Sequence, residues 1–208
     1  MITIIDYGMG NLFSILNMIR RVGGDAVISA DTQTIQRASA LILPGVGAFD
    51  NAMTKLQSLG MIDLINERVR NDKVPFMGVC LGMQLLFHSS QEGNKAGLSL
   101  LPGTVRRFDG QAFGERKLKI PHMGWNKVIP SPNQELFSGF HSDPRFYFVH
   151  SYHVVCDDPA HIAATCDYGY RFTCAIRHEN IFAVQFHPEK SHRFGMTLFK
   201  NFIEQLPC

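Results

Sequence analysis

The chain has 208 residues, 45% of them apolar and 18% charged, so it can bury a sizeable apolar core. Its 20 lysines and arginines nearly balance 18 aspartates and glutamates, which gives no reason to expect nucleic acid or an anionic membrane as a partner. No apolar run could span a bilayer, and no signal-peptide pattern begins the sequence. Five scattered cysteines without a C-x-x-C pair predict neither a zinc ribbon nor a disulfide framework. We expect a soluble, cytoplasmic protein.

Strand and helix patterns alternate through the first half of the chain. Short apolar strands are predicted at residues 2–5, 26–29, 40–43 and 76–79. Apolar stripes between them predict helices, one or two of which fall in 50–72. This order favours a mainly parallel sheet with helices on both faces. Ligands bind beyond the carboxyl ends of such strands, where the loops 6–11 and 44–49 and the turn at Cys80 are expected.

The pattern changes after residue 97. Alternating runs predict antiparallel strands at 145–149, 152–156, 172–177 and 181–186. A closing helix is predicted over 191–206 from its apolar stripe. Because no linker or repeat interrupts the chain, we expect one α/β domain over residues 1–208, with antiparallel strands added in the second half.

Cys80 is the first candidate for chemistry. It lies between Gly78 and Gly82, at the corner between an apolar strand pattern and a helix pattern. This is the spacing of a nucleophile elbow, with sulfur in place of the usual hydroxyl. The N–H groups and dipole of a following helix would favour the thiolate. An isolated buried cysteine is more often a packing residue, so the prediction of a nucleophile needs partners.

His187 is the strongest candidate base among nine histidines, because it ends a strand pattern and precedes Pro188 and Glu189. The carboxylate of Glu189 can fold back to orient the imidazole, which predicts a triad of Cys80, His187 and Glu189. By itself, His187 would more often be a structural histidine. His150 and His153 have a spacing that could bind metal, but on one strand they would face opposite sides. No metal site is therefore predicted.

A glycine-rich loop at 44–49 follows a predicted strand and places two glycines around Val46. Such a loop can aim an N–H at a ligand, and with the N–H of Leu81 it could stabilise an oxyanion. A phosphate-binding role is weakly supported, since no Gly-Lys-Ser/Thr follows.

The residues Gly-Val-Cys-Leu-Gly-Met-Gln at 78–84, with the distant His-Pro-Glu, resemble the class I (triad) glutamine amidotransferases. Finer motifs at 6–12, 44–49, 121–126, 148–152 and 187–191 are similar to the glutaminase subunits of imidazole glycerol phosphate synthase, over essentially the whole chain. The resemblance implies a class I amidotransferase-like fold and hydrolysis of glutamine to glutamate and ammonia through a thioester, without a cofactor. It also implies a heterodimer of the histidine pathway, in which a (β/α)8-barrel cyclase subunit receives the ammonia through a tunnel.

Residue by residue, the resemblance implies that Cys80 is the nucleophile, His187 the general acid and base, and Glu189 its orienting partner. The oxyanion site would comprise Val46, Gly47 and Leu81. The amino-acid end of glutamine would be held by Gln84, Glu92, Ser151 and Tyr152. The face toward the partner would include Trp125, Asn126, Tyr147 and Lys190. Family members often have Thr where Ser151 stands, which matters little if the contact is made by the backbone.

Two other interpretations remain open. The chain could supply another class I amidotransferase, such as anthranilate synthase or a pyridoxal phosphate synthase, although Gly-Trp-Asn and His-Pro-Glu-Lys are unusual there. It could instead be a catalytically silent regulatory subunit, against which the intact triad argues. We further hypothesise that the isolated chain is nearly inactive and that residues 45–47 act as the switch.

Overall fold

The computed structural model describes residues 1–140 and 143–206. Its first half contains β1 Ile2–Ile5, α1 Leu12–Arg21, β2 Ala26–Ser29, α2 Thr32–Gln36, β3 Ala40–Gly45, α3 Phe49–Ser58, α4 Met61–Arg70, β4 Phe76–Cys80 and α5 Leu81–Gln84. Its second half contains β5 Gly103–Arg107, β6 His122–Pro130, β7 Arg145–His150, β8 Tyr152–Cys156, β9 Ile162–Tyr168, β10 Tyr170–His178, β11 Ile181–Val184 and α6 His192–Glu204. A short 3-10 turn, Pro188–Lys190, joins β11 to α6.

The strands form one mixed sheet in the order β2-β1-β3-β4-β11-β10-β9-β6-β7, with β5 and β8 attached through β10. The pairs from β2 to β11 are parallel, and those from β11 outward are antiparallel. The predicted α/β fold, parallel first and antiparallel later, is thereby confirmed. The position of β11 matters most for the site, because β11 pairs with β4 and so brings the segment before His187 beside Cys80.

The parallel strands are buried on both faces, which explains their continuous apolar sequences. Ile42 and Met77 face a core layer that includes α1 and α6 residues, whereas Leu41 and Phe76 face the layer under α3 and α4. Helix α1 buries Ile15, Leu16 and Ile19, as its apolar stripe predicted. No helix among the described residues is long and apolar enough to cross a membrane.

Three strands, β5, β6 and β9, were not predicted from the sequence. The helix predicted after Cys80 is also shorter than expected, since α5 ends at Gln84. The region 50–72 forms two helices, with Gly60 at φ +64° between them. These differences alter the surroundings of the site but leave its elements in the predicted order.

Candidate active site

Cys80 ends β4 in a backbone conformation that L-residues rarely adopt, with φ +55° and ψ −110°. The flanking glycines allow this turn to pack tightly. A Cβ on Gly82 would lie 1.8 Å from the Leu43 carbonyl oxygen, and one on Gly78 would lie 2.7 Å from the Gly82 carbonyl oxygen. Because α5 is a single turn, its dipole contributes less at the sulfur than the predicted longer helix would.

A cavity of about 370 Å³ lies over this turn. This volume is in the range of small-molecule sites. Predicted catalytic, oxyanion, substrate and interface residues meet on its wall, together with three residues that were not predicted. The lining residues are Val46, Gly47, Cys80, Leu81, Gln84, Glu92, Pro121, Val149, His150, Ser151, Tyr152, His187 and Lys190.

His187 lies on this wall, and Glu189 lies behind it. The imidazole Nδ1 is 2.8 Å from Glu189 Oε1, and the two side chains are 2% and 1% exposed. The backbone is fixed as well, since His187 N–H donates to the Tyr147 carbonyl at 2.9 Å and the Ser191 hydroxyl donates to the His187 carbonyl at 2.6 Å. Since a carboxylate only accepts, Nδ1 carries a hydrogen and Nε2 is left for chemistry.

The charge of His187 depends on its neighbours. Burial opposes protonation, but Cys80 and Glu189 outweigh it and raise the pKa of His187 to about 10. Nε2 has no other hydrogen-bond partner among the described residues, so it is the ring nitrogen through which Cys80 raises this pKa, by hydrogen bonding first and by charge second. The arrangement therefore favours a protonated, charged His187 beside the Cys80 sulfur.

The loop after β3 has a fixed base and an exposed tip. Tyr7 Oη donates to the Pro44 carbonyl at 2.8 Å, and a Cβ on Gly45 would lie 2.8 Å from both this hydroxyl and Leu81 Cβ. Burial, with the charge of Cys80, raises the pKa of the Tyr7 hydroxyl well above its usual value, so it remains a donor. At the tip, Val46 is 42% exposed and Gly47 has φ +95°.

Comparisons with known proteins identify the family of the chain. The sequence model of the family "Glutamine amidotransferase class-I" matches residues 3–206. The chain is 51% identical over 205 residues to "Imidazole glycerol phosphate synthase subunit HisH 2" of Methanococcus maripaludis, covering 99% of this chain and 100% of that protein. It is 49% identical to the protein of the same name from Pseudomonas aeruginosa, covering 98% and 99% of the two chains. The chain belongs to the class-I glutamine amidotransferase family, among its HisH subunits. The resemblance inferred from the motifs is confirmed.

Solved structures show the same fold for this amidotransferase. A crystal structure of a glutamine amidotransferase has a TM-score of 0.75 at 18% identity, covering 97% of each chain. The structure of PurLQS from Thermotoga maritima has a TM-score of 0.70 at 15% identity, covering 98% of this chain and 97% of that one. The predicted class I amidotransferase-like fold is thereby confirmed.

The predicted substrate residues of the amidotransferase already have partners within the chain. Gln84 Nε2 donates to the carbonyl of Tyr152 and to Gln185 Oε1, each at 3.0 Å, so its own Oε1 is the atom left for a ligand. Glu92 Oε2 accepts from Phe49 N–H at 2.9 Å, at the beginning of α3. The carbonyl of Ser151 accepts from the N–H of Phe108 at 3.0 Å.

The predicted partner-facing residues of the amidotransferase fall into two groups. Trp125 is 47% exposed, stacks on His192 at 5.6 Å, and meets Tyr147 edge-on at 6.5 Å. Lys190 Nζ lies 5.7 Å from the centroid of the Tyr147 ring. Asn126 differs, because its Nδ2 donates inward to the Asp167 carbonyl at 2.9 Å. Three of these residues therefore form an exposed aromatic and cationic cluster, while Asn126 braces the strand.

The histidines at 150 and 153 do not face opposite sides as expected. Both rings pack on Phe108, with centroids 5.2 and 4.9 Å away. The expectation was wrong because Ser151 separates β7 from β8, so the two histidines do not share one strand. Across residues 1–140 and 143–206, no three His, Cys, Asp or Glu side chains are grouped to hold a metal ion.

The other described cysteines are packing residues. Burial raises the pKa of Cys156 and of Cys166 to about 12, and that of Cys174 well above its usual value. These thiols stay protonated and act as packing groups. Cys208 lies outside the described residues.

Sequence reasoning missed Gln185, which is fully buried and whose Nε2 lies 3.8 Å from Cys80 Sγ. A signal was available, since Gln185 is two positions before His187, and a polar residue inside an apolar strand pattern needs a buried partner. His122 and His150 were also missed as a hydrogen-bonded pair, because β6 was not predicted.

Proposed function

We propose that this chain uses Cys80 to hydrolyse glutamine to glutamate and ammonia. The ammonia would then pass to the cyclase subunit of imidazole glycerol phosphate synthase, which makes imidazole glycerol phosphate and aminoimidazole carboxamide ribotide. The observation that carries the proposal is the meeting of Cys80 and His187, distant in sequence, on one cavity wall with Glu189 bonded behind the imidazole. The names of the relatives support the choice of substrate and partner.

In the first step the Cys80 thiolate attacks the side-chain amide carbon of glutamine, and the carbonyl oxygen becomes an oxyanion. The N–H of Leu81 and an N–H of the loop at Val46 and Gly47 would stabilise that charge. His187 then gives the proton on Nε2 to the amide nitrogen. The C–N bond breaks, ammonia leaves, and a glutamyl thioester remains on Cys80.

In the second step water attacks the thioester while His187 Nε2 takes one of its protons. The C–S bond breaks, and its electrons return to sulfur as the thiolate. The carboxylic acid so formed loses its proton to solvent and leaves as glutamate. The site returns to a thiolate beside an imidazolium, and the raised pKa of His187 keeps the ring protonated for the next cycle.

The rest of the cavity would hold the amino-acid end of glutamine. Gln84 offers an acceptor oxygen and Glu92 a carboxylate, which suit an α-ammonium group. Ser151 and Tyr152, which also line the cavity, would bind the α-carboxylate through hydroxyl or backbone donors. With these assignments the site would select a free amino acid over an internal peptide residue.

The exposed cluster of Trp125, Tyr147 and Lys190 would contact the cyclase subunit in a heterodimer, with Asn126 bracing its strand. Aromatic residues beside a cation are typical of binding hot spots. We place this complex in the cytoplasm, and we treat residues 1–208 as one amidotransferase domain because the family model spans 3–206.

The exposed Val46 tip would aim its N–H correctly only in the complex, leaving the isolated chain nearly inactive.

The test is a glutaminase assay of the chain alone, with the cyclase subunit, and with the cyclase subunit and its ribonucleotide ligand. We expect turnover that depends on the partner and is abolished by Cys80→Ala. Robust turnover by the chain alone would overturn the loop switch. A complex without turnover, together with no Cys80 adduct after treatment with a glutamine-like diazo ketone, would instead support a silent regulatory subunit.

A further inference from the structure

A continuous run of buried and partly buried hydrogen bonds joins β6 to the Cys80 sulfur, through groups to which the proposed mechanism gives no chemical step. On one side of the Tyr152 carbonyl lie His150, His122 and Asn126. On the other side lie Gln84 and Gln185, and Gln185 ends at the sulfur.

The first arm of this run comprises the bonds from the Tyr152 carbonyl to Asn126. Their donor and acceptor atoms follow from that carbonyl, which can only accept. His150 Nδ1 lies 2.7 Å from that oxygen and therefore carries the hydrogen. Burial keeps the pKa of His150 well below its usual value, so the ring is neutral and its Nε2 accepts from His122 Nδ1 at 3.0 Å. Burial lowers the pKa of His122 to about 4, so its Nε2 also accepts, from Asn126 Nδ2 at 3.3 Å. Each bond thus has one donor and one acceptor.

The second arm fixes the amide of Gln185. Gln84 Nε2 donates to Tyr152 and to Gln185 Oε1, so the Gln185 oxygen must face Gln84. Its Nε2 then faces Cys80 Sγ at 3.8 Å. The reversed amide would set two NH₂ groups against each other and place an oxygen beside the sulfur. The backbone is held too, since the Gln185 N–H donates to the Cys174 carbonyl at 2.9 Å.

We propose that Gln185 is a positioning residue for the nucleophile, donating to the Cys80 sulfur in an orientation imposed by Gln84, whose other acceptor, the Tyr152 carbonyl, also holds the arm that runs to Asn126. This inference deepens the proposed function and rests on it. An N–H donor favours the thiolate over the thiol and limits where the sulfur can point. The Asn126 end lies next to Trp125 on β6, the strand that carries part of the exposed cluster.

The first experiment compares Gln185→Met and Gln185→Glu with the unmodified chain, each in complex with the cyclase subunit. Methionine keeps the length without a donor, and glutamate keeps the shape but accepts where the amide donates. We expect iodoacetamide to alkylate Cys80 about tenfold more slowly in both variants than in the unmodified chain near neutral pH. Mass spectrometry of the Cys80 peptide measures this rate. The pH–rate profile of this alkylation should move to higher pH. For glutamine hydrolysis, kcat should fall about tenfold while KM stays within about twofold of its original value. Unchanged alkylation profiles in both variants would overturn the proposal.

The readouts separate this inference from the proposed function. Alkylation requires only a reactive sulfur, so a shifted profile in a complex that never hydrolyses glutamine would retain the positioning role and overturn the function. Normal glutamine hydrolysis with an unshifted alkylation profile would retain the proposed function and overturn the positioning role of Gln185. Asn201→Leu is the matched control, since it removes a buried amide that donates to the Leu136 and Ser138 carbonyls of another region. We expect it to lower stability without moving the profile.

The far arm is tested with His122→Phe, which keeps an aromatic ring stacked near Phe148 but removes the donor to His150. We expect a smaller shift of the alkylation profile in the same direction. In the double variant with Gln185→Met, the shift should equal that of Gln185→Met alone, because the chain acts through Gln185. Fully additive shifts would overturn the linkage to β6.

Discussion

His187 Nδ1 donates to Glu189 Oε1 at 2.8 Å across a single proline, with both side chains buried. The carboxylate holds the tautomer that keeps Nε2 toward the cavity. Glu189→Gln would place an NH₂ group where it can donate to Nδ1 and reverse this tautomer. In comparable triads such a change costs up to about 10⁴-fold in rate, so we expect kcat to fall by roughly a hundredfold or more. Steady-state glutaminase kinetics of the complex measure this, and a loss confined to KM would contradict it.

The same histidine should make stability depend on pH. Burial opposes its charge, but Cys80 and Glu189 raise the pKa of His187 from the ordinary 6.5 to about 10. Because the folded state binds this proton more tightly than the unfolded state, the stabilisation is full below about pH 6.5 and is lost as pH rises toward about 10. We expect the difference in unfolding free energy between the unmodified chain and His187→Gln to shrink across that interval. Urea denaturation at several pH values measures it, and a constant difference would contradict the assignment.

The elbow glycines are required by packing. A Cβ at Gly82 would overlap the Leu43 carbonyl oxygen, at 1.8 Å, and backbone atoms cannot move away without distorting β3. We expect Gly82→Ala to lower the unfolding free energy by about 3 kcal/mol or more. Gly110→Ala is the matched control, because its nearest contact would be 3.8 Å away and its φ is −63°. Equal stability of the two variants would show that the turn is not tightly packed.

The strained backbone of Cys80 gives a further prediction. At φ +55° and ψ −110° glycine is unstrained, whereas a residue with a Cβ costs about 1–3 kcal/mol. We therefore expect Cys80→Gly to be about 1 kcal/mol more stable than Cys80→Ala, the reverse of their usual order in regular structure. Chemical denaturation of the two variants measures this. Greater stability of the alanine variant would mean that the turn relaxes without its sulfur.

Local sequence signals predicted the parallel half of the fold well, because its strands are continuous apolar runs and its helices carry clear stripes. Strand β6 was missed because its exposed positions hold Met123, Trp125 and Ile129, which hide the alternation. The roles assigned to Cys80 and His187 came from motifs. Their meeting depends on β11 pairing with β4, a long-range contact that no local pattern encodes.

Partners of the site were harder to predict than its central residues. Gln185 reads as one polar residue in an apolar strand, and its contact with Cys80 appears only once the sheet order is known. The bond between His122 and His150 requires β6 and β7 to pair in register, with those two residues opposite each other. Side chains that act through tertiary hydrogen bonds leave weak signals in sequence. A nucleophile at a tight turn is easier to predict, because the turn requires specific residues directly beside it in the sequence.

Trp125 gives the test of the partner surface. It is 47% exposed and is held in place by stacking on His192, at an interplanar angle of 2°, so it presents a rigid aromatic face. Rigid exposed aromatics lose little entropy on binding and often dominate an interface. We expect Trp125→Ala to weaken binding of the cyclase subunit by about 2 kcal/mol, roughly thirtyfold in Kd, as measured by titration calorimetry.

The control for this change is Leu59→Ala, since Leu59 is similarly exposed, at 45%, but follows α3 in the other half of the fold. It should leave the Kd unchanged. Because Trp125 contributes only part of its surface to the folded chain, its alanine variant should unfold at nearly the same urea concentration as the unmodified protein. An unchanged Kd for Trp125→Ala would place the partner on a different face, whereas weakened binding together with a large loss of stability would indicate a structural role for the indole.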